Sequence, residues 1–99
     1  MKVILSREAI EDLVTIGERI FDFNPQRASS FIAELQAKCF QLGETPFAFA
    51  RLAHRENQDI RRRPHGNYLI FYRVLESNVE ILHVLHGAQD YQKILFPEN

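Results

Sequence analysis

The first half of the chain carries two helical patterns of apolar residues. A short apolar run at Val3–Leu5 is typical of a strand, and Ser6 after it can act as a helix N-cap. Apolar residues then recur at spacings of three and four within residues 9–21, and again within residues 28–42. Asn24-Pro25 between them favours a helix end followed at once by a new helix start. The pattern predicts a strand and a helical hairpin.

The segment after the second helix loses this spacing. Gly43 is predicted to end the helix, because glycine readily adopts the left-handed C-cap conformation. Residues 44–58 contain Pro46, a helix breaker. We expect a loop here, with at most a short strand near Leu52.

The second half of the chain has the composition and spacing of strands. Aromatic and β-branched residues dominate two runs, and the turn compositions of 64–67 and 76–78 separate the extended segments. We expect three antiparallel strands at residues 60–63, 68–75 and 79–85. A last short helical turn should follow at residues 90–95. The predicted fold class is therefore α+β: an N-terminal strand, a helical hairpin and a three-stranded antiparallel meander, with the helices on one face of the sheet.

Length and composition agree with one small globular domain. The 99 residues suit one core, so we treat 1–99 as a single domain. The single cysteine, Cys39, excludes an internal disulfide and lies on the apolar stripe of the second helix, which favours a buried side chain over a nucleophile. No signal peptide or membrane-spanning run is visible, so we expect a cytoplasmic protein without a membrane partner.

Positive charge is concentrated in one segment. The formal net charge is −1, yet six of the twelve basic residues, all of them arginine, lie within residues 51–73. They are Arg51, Arg55, Arg61, Arg62, Arg63 and Arg73. In a strand, Arg61 and Arg63 share one face, whereas Arg62 shares the other face with Ile60. The arginines predict a basic surface that binds phosphate or an acidic segment of a partner. The alternative is a solvated edge strand, on which the charges prevent pairing with the edge strand of another molecule.

The last strand carries candidate acid–base groups. His83 and His86 lie three residues apart, with Tyr91 just beyond. No third ligand stands at a characteristic spacing, so we predict no metal and no cofactor. One histidine could act as a general acid or base, with Tyr91 and an arginine stabilising charge, and the alternative is a histidine bonded to a backbone carbonyl. The neighbouring aromatic residues Tyr68, Phe71 and Tyr72 could stack on nucleic acid, but we favour the core for them.

Two long segments resemble a known family. Residues 61–74, RRRPHGNYLIFYRV, followed by VEILHVLHGAQD at 79–90, resemble the C-terminal half of the ParE/RelE superfamily of toxins and are most similar to its ParE (plasmid stabilisation) branch. Residues 5–13, LSREAIEDL, are similar to the first strand and helix start of that family. The resemblance implies the toxin of a type II toxin–antitoxin pair, neutralised by a small antitoxin that is ParD-like or similar.

The superfamily has two activities, and the resemblance implies a choice between them. RelE-like members cleave mRNA on the ribosome, whereas ParE-like members inhibit DNA gyrase. Leu69 stands where the ribonuclease branch tends to carry an arginine, and Gln89 replaces an arginine common in the ParE branch. Our first hypothesis is a non-enzymatic gyrase inhibitor. The alternatives are a ribosome-dependent mRNA endoribonuclease using Arg73, His83, His86 and Tyr91, and a degenerate binding module without toxicity.

Both faces of the strand at 68–75 are apolar, so both need cover. One is expected to lie under the helical hairpin. An amphipathic segment of the antitoxin could cover the other, and a homodimer could replace it when the antitoxin is absent. The predicted target- or antitoxin-binding residues are Arg61, Arg62, Arg63, Leu69, Phe71, Arg73 and His86.

Overall fold

The computed structural model describes residues 1–53 and 59–97 and has the predicted order of elements. The elements are β1 Lys2–Leu5, α1 Arg7–Phe23, α2 Pro25–Gln41, β2 Ile60–His65, β3 Tyr68–Val74, β4 Asn78–His86 and α3 Tyr91–Leu95. The α+β class, the helical hairpin and the meander are confirmed. None of the helices in the described parts is long and apolar enough to cross a bilayer.

The helix caps anchor the hairpin as the sequence predicts. Ser6 Oγ accepts a hydrogen bond from the backbone N–H of Ala9 at 3.0 Å and donates one to the Leu82 carbonyl at 2.8 Å. The cap therefore fixes the start of α1 to β4 as well as satisfying a free helical N–H. At the start of α2, Asn24 accepts from the N–H of Arg27 at 3.2 Å, and proline follows directly.

The four strands form one sheet in the order β1-β4-β3-β2. β1 runs parallel to β4, and the other pairs are antiparallel. An irregularity interrupts the β3–β4 register, where Phe71 pairs with His83 but Tyr72 pairs with Ile81. Leu82 is therefore an extra residue in β4, as in a β-bulge, and the alternation of faces shifts there.

Two apolar clusters occupy the two faces of the sheet. The larger one packs β3 and β4 against α1 and α2 and includes Tyr68 and Tyr72, which are 8% and 0% exposed. The smaller one lies on the opposite face, which we call the second face. It contains Phe71 at 0% exposure, with Leu95 and Phe96 of the C-terminal segment packed against it. The prediction that the aromatic residues are core is confirmed.

The turn between β2 and β3 is shorter than predicted. Pro64 and His65 pair with Leu69 and Tyr68, so they belong to β2 and not to a turn. Only Gly66 and Asn67 connect the strands, and Gly66 has the positive φ of 57° that such tight turns require. Proline is accommodated because β2 lies at the edge of the sheet, where a missing N–H is tolerated.

The predicted role of Gly43 is wrong. Leu42 is the C-cap of α2 in a right-handed conformation, and Gly66 is the only glycine with positive φ among residues 1–53 and 59–97. Gly43 lies instead against the chain start, where its carbonyl accepts from the Met1 ammonium at 2.7 Å. A Cβ at this position would overlap the Met1 carbonyl oxygen, so close backbone approach explains the glycine.

The segment before β2 covers part of its outer edge. Arg51 forms an isolated antiparallel bridge with Arg61, and the Leu52 N–H donates to the Ile60 carbonyl at 2.8 Å. This confirms a short extended stretch near Leu52. The rest of the predicted loop up to residue 58, including Arg55, lies outside the described residues.

Candidate functional site

The pleat of β2 divides the arginine cluster, as predicted. Arg61 and Arg63 point to the helix side of the sheet. Arg61 donates to the Phe49 carbonyl at 2.7 Å, and Arg63 donates to the Lys38 carbonyl of α2 at 3.1 Å. Arg62 points to the second face, so the three arginines do not form one surface.

On the second face, Arg62 meets the C-terminal helix. Its Nη1 donates to the hydroxyl of Tyr91 at 3.0 Å, and the Tyr91 ring lies 5.0 Å from the Phe71 ring. Phe71, predicted to bind a partner, is therefore buried beneath Tyr91 and does not reach the surface. Leu69 is half-buried in the same cluster.

Arg73 is also on the second face and is paired. It stands directly opposite Glu80 in the β3–β4 register, and the two side chains form a salt bridge of 2.8 Å. Its Nε is buried without a hydrogen-bond partner. The guanidinium of Arg73 thus has its charge neutralised within the sheet.

His83 connects the sheet to α1. Its Nδ1 lies 2.8 Å from the Asp12 carboxylate, which also accepts from the backbone N–H of Val84 at 2.9 Å. Both side chains are only 20% exposed. The arrangement holds β4 against α1 directly after the bulge and gives His83 a structural partner.

His86 lies at the end of β4 on the helix side. Its Nδ1 accepts from the backbone N–H of Ala88 at 3.0 Å, so in the neutral ring the proton is on Nε2. The side-chain oxygen of Gln89 accepts from the N–H of His86 at 2.8 Å. The imidazole meets the ring of Tyr68 edge-on at 5.1 Å.

The four candidate catalytic residues have different partners. Arg73 pairs with Glu80, and Tyr91 accepts from Arg62. His83 contacts Asp12 of α1, and His86 packs against Tyr68. A general acid and a charge-stabilising group must both reach one reacting group within hydrogen-bond distance. Among the described residues, none of the four forms a hydrogen bond or ion pair with another of the four. The described residues also hold no group of three or more metal-binding side chains.

A large apolar groove lies between α1 and α2, which sequence reasoning missed. Its volume is about 940 Å³, and both helices line it. Ile10, Val14 and Phe21 contribute exposed apolar side chains, at 52%, 57% and 58% exposure. The sequence pattern placed Ile10 and Phe21 on the buried stripe. Ile10, Val14 and Phe21 are separated by four and then seven positions. This helical spacing was the signal in the sequence that could have indicated a second apolar stripe on α1.

The rim of this groove is acidic. Glu18 and Asp22 of α1 line it, and no basic residue of the described ranges 1–53 and 59–97 does. On α2, the lining residues are Ala28, Ser29, Ile32, Ala33 and Gln36. The surface therefore combines an apolar floor with negative charge.

Burial and ion pairing shift the pKa values of Glu34, Cys39 and Tyr72. The pKa of Glu34 is lowered to about 2, first by its hydrogen bond with Arg27 and then by His65 at 3.1 Å. Burial raises the pKa of the Cys39 thiol to about 12, although the positive charge of Arg63 opposes the shift. Cys39 is 0% exposed, which confirms a buried, unreactive thiol. Burial likewise raises the pKa of Tyr72.

Comparisons with known proteins agree on one family. The family described as the ParE toxin of type II toxin–antitoxin systems, parDE, matches residues 3–91. The comparison with curated proteins gives no significant match.

Two solved structures have the same fold. A chain of the chromosomal ParDE toxin–antitoxin system from P. aeruginosa aligns with a TM-score of 0.74 and 16% identity, covering 87% of this chain and 95% of its own. A chain of the toxin–antitoxin complex RelBE2 from Mycobacterium tuberculosis aligns with a TM-score of 0.65 and 24% identity, covering 86% and 95%. Since the family match spans nearly the whole chain, the protein belongs to the ParE toxin family and is the toxin of a type II toxin–antitoxin system, with an antitoxin as its partner.

Proposed function

We propose that this toxin inhibits DNA gyrase by binding to it and performs no chemistry on its target. The observation that carries the proposal is that each of the four candidate catalytic residues is engaged by a different partner: His83 by Asp12, His86 by Tyr68, Arg73 by Glu80 and Tyr91 by Arg62. On the second face, Arg62 donates to Tyr91 and Arg73 pairs with Glu80.

The competing activity is cleavage of mRNA on the ribosome. It would need an acid or base and a cation around one phosphodiester, whereas His83 and Arg73 are each engaged by an acidic side chain of the chain itself. Leu69 adds to the argument, since an apolar side chain there supplies no charge to a phosphate.

The gyrase proposal is tested with purified components. Relaxed plasmid is incubated with gyrase, ATP and increasing toxin, and supercoiling is followed on agarose gels. We expect supercoiling to decrease at micromolar toxin. When the toxin is first mixed with antitoxin, supercoiling should remain at the level seen without toxin. Unchanged supercoiling at toxin in excess over gyrase would contradict the proposal.

A parallel assay separates the alternatives. Ribosomes carrying a defined mRNA are incubated with the same toxin, and the message is examined by primer extension. We expect intact mRNA. Cuts in the A-site codon would establish the ribonuclease, whereas no effect in either assay, together with normal growth of cells expressing the toxin, would identify a degenerate binding module.

We also propose that the α1–α2 groove binds an amphipathic helix of the antitoxin. Exposed Ile10, Val14 and Phe21 provide the apolar contacts that such a helix seeks in a groove. Because Glu18 and Asp22 line the rim, the helix should carry basic or neutral residues beside its apolar face. A second copy of the toxin would instead bring acidic rims together, which disfavours a homodimer through this groove.

A charged substitution tests the groove. Val14→Glu places a carboxylate on the apolar floor, and Glu11→Gln on the same helix is the control because its exposed side chain does not line the groove. We expect Val14→Glu to weaken antitoxin binding by at least about tenfold, while the control changes it by less than about twofold. Equal binding by both variants would place the antitoxin helix elsewhere.

A further inference from the structure

A small polar cavity lies between α1 and the paired ends of β3 and β4. Its volume is about 80 Å³, and Ile16, Val84 and Leu85 form part of its wall. The polar residues that line it are Asp12, Thr15, Arg19, Tyr68 and Gln89. We call this space the Tyr68 cavity. The α1–α2 groove is lined by other residues, so the two are separate sites.

Tyr68 has a buried ring and an unpaired hydroxyl. The residue is 8% exposed, and its ring packs against the rings of Phe31 and His86. Within residues 1–53 and 59–97, its hydroxyl makes no hydrogen bond, whereas the hydroxyls of Tyr72 and Tyr91 each make one. A buried tyrosine normally finds a partner for this group. The Tyr68 hydroxyl is therefore available to a group that enters the cavity.

Two opposite charges stand along the α1 wall of the cavity. Asp12 and Arg19 are seven positions apart, so they share one face of the helix, about 10 Å apart along its axis. Asp12 Oδ2 is engaged by His83 and by the Val84 N–H, while Oδ1 accepts no hydrogen bond from the described residues. Arg19 forms no ion pair in the same part of the chain. The wall thus offers a free acceptor near one end and free donors near the other.

Gln89 adds further donors. Its side-chain oxygen accepts from the His86 N–H at 2.8 Å, and this bond fixes which end of the amide is the oxygen. The side-chain nitrogen keeps two N–H donors without a partner among the described residues. The cavity therefore combines several donors with a single anionic acceptor.

We propose that the Tyr68 cavity binds a primary carboxamide, the group that ends asparagine and glutamine side chains and small free amides. The carbonyl oxygen of the ligand accepts from Arg19 and from the Tyr68 hydroxyl, and its N–H group donates to Asp12 Oδ1. The cavity is well below the roughly 300–1,000 Å³ of pockets that hold whole drug-sized ligands, so it takes one small group. The proposal depends neither on gyrase nor on the antitoxin.

A neutral group fits this cavity better than an ion does. A carboxylate or phosphate would meet the negative charge of Asp12, and an ammonium group would meet the positive charge of Arg19. A carboxamide carries both an acceptor and donors on one planar group. It can therefore satisfy both ends of the wall without bringing a second unpaired charge into the cavity.

The test compares three small probes of similar size on the isotope-labelled full-length toxin by NMR. Propionamide carries the carboxamide, propionate carries an oxyanion and propylammonium carries a cation. The side-chain N–H signals of Gln89 and the backbone N–H signal of Val84 report on the cavity. The backbone N–H signal of Ile32, in the α1–α2 groove, reports on binding elsewhere.

A second pair of probes distinguishes the two sources of the group. N-acetylglutamine N-methylamide carries its one primary carboxamide on a side chain, and the glutamate analogue is its control. Binding at least as tight as that of propionamide would identify an asparagine or glutamine side chain of a partner as the ligand. Weaker binding would identify a small free amide. Both results support recognition of the carboxamide.

Two variants remove the proposed donors, and each has a matched control. Tyr68→Phe deletes the unpaired hydroxyl, and Tyr91→Phe deletes a hydroxyl on the second face. Arg19→Gln removes the charge at the cavity, and Arg7→Gln removes an exposed charge at the start of the same helix. Because the Tyr68 hydroxyl has no partner in the described structure, its loss should leave the fold intact, which circular dichroism checks.

We expect the wild type to bind propionamide in the millimolar range and at least about fivefold more tightly than either ion. Tyr68→Phe and Arg19→Gln should each weaken this binding by about threefold to tenfold, as the loss of one hydrogen bond does. Both controls should stay within about twofold of the wild type.

Three results would overturn the proposal. The first is the absence of saturable shifts at Gln89 and Val84 up to about 100 mM propionamide. The second is tighter binding of propionate or propylammonium than of propionamide, and the third is a loss in the control variants as large as in Tyr68→Phe and Arg19→Gln. None of them bears on the gyrase assay, which uses no amide.

Discussion

Arg62 of β2 donates a hydrogen bond to the hydroxyl of Tyr91 at 3.0 Å, joining the edge strand to α3. This contact matters because α3 has only five residues, too few to be helical without tertiary support. The Tyr91 ring packs on Phe71, and Leu95 follows on the same apolar cluster. The second face is therefore closed in part by the chain itself, where we had expected a partner to cover it.

Substitution of Tyr91 separates the hydrogen bond from the ring contact. Tyr91→Phe keeps the contact with Phe71 and loses the bond from Arg62, which should cost about 0.5–1.5 kcal/mol of unfolding free energy. Tyr91→Ala also removes the ring and should cost about 3 kcal/mol. Urea unfolding measures both values, and equal losses would mean that the ring adds nothing.

Gly43→Ala should destabilise the fold. A Cβ here overlaps the Met1 carbonyl, so β1 or the end of α2 must move, at a cost of about 1–3 kcal/mol. Gly87→Ala is the control, because a Cβ there meets its nearest atom at an ordinary 3.5 Å, and it should change stability by less than about 0.5 kcal/mol. Thermal unfolding compares the two, and an unaffected Gly43→Ala variant would refute the close approach.

Glu34 predicts a specific acid sensitivity. Because its pKa is lowered from 4.5 to about 2 in the folded protein, the carboxylate stabilises the fold above pH 4.5 and loses this effect as the pH falls toward 2. The melting temperature of the wild type should therefore fall more steeply over this range than that of Glu34→Gln. Glu44→Gln, at another exposed glutamate, should follow the wild type. If the melting temperatures of the wild type and of Glu34→Gln changed in parallel with pH, the lowered pKa of Glu34 would be contradicted.

Asp12 should contribute to stability through two contacts. Asp12→Ala leaves the Val84 N–H and His83 without their acceptor, and we expect a loss of about 1–3 kcal/mol. Asp12→Asn retains an oxygen for the Val84 N–H and should lose less. The exposed neighbour Glu11 provides the control, since Glu11→Ala should stay within about 0.5 kcal/mol in the same denaturant titration. A larger loss for Asn than for Ala would exclude this arrangement.

The order of elements could be predicted because local signals agreed with the fold. Ser6 and Asn24 have side chains that cap helices, and both do so. The division of Arg61 and Arg63 from Arg62 follows from the strand pleat alone. These features depend on residues that are close in the sequence, so a single amino-acid sequence is enough to predict them.

Features set by distant contacts could not be predicted in this way. Gly43 is fixed by Met1, forty-two positions away in the chain, and Pro64 is tolerated only because β2 is an edge strand. The bulge at Leu82 depends on the pairing of β3 with β4.

Contacts between distant residues account for most of the differences between the predicted and the observed candidate site. Both faces of β3 are apolar, so the sequence left open whether a partner or the chain itself covers Phe71, and the structure buries it beneath Tyr91 within the second-face cluster. The groove depends on how far α1 and α2 lie apart, a distance that no residue pattern specifies.

The central claim, inhibition by binding, is tested most directly by the stoichiometry of gyrase inhibition. Supercoiling is followed over time at a fixed gyrase concentration, with toxin varied from well below to well above equimolar. We predict inhibition that rises with the ratio of toxin to gyrase and stops increasing with time once binding has equilibrated. Complete and progressive loss of supercoiling at substoichiometric toxin would show turnover and contradict the claim.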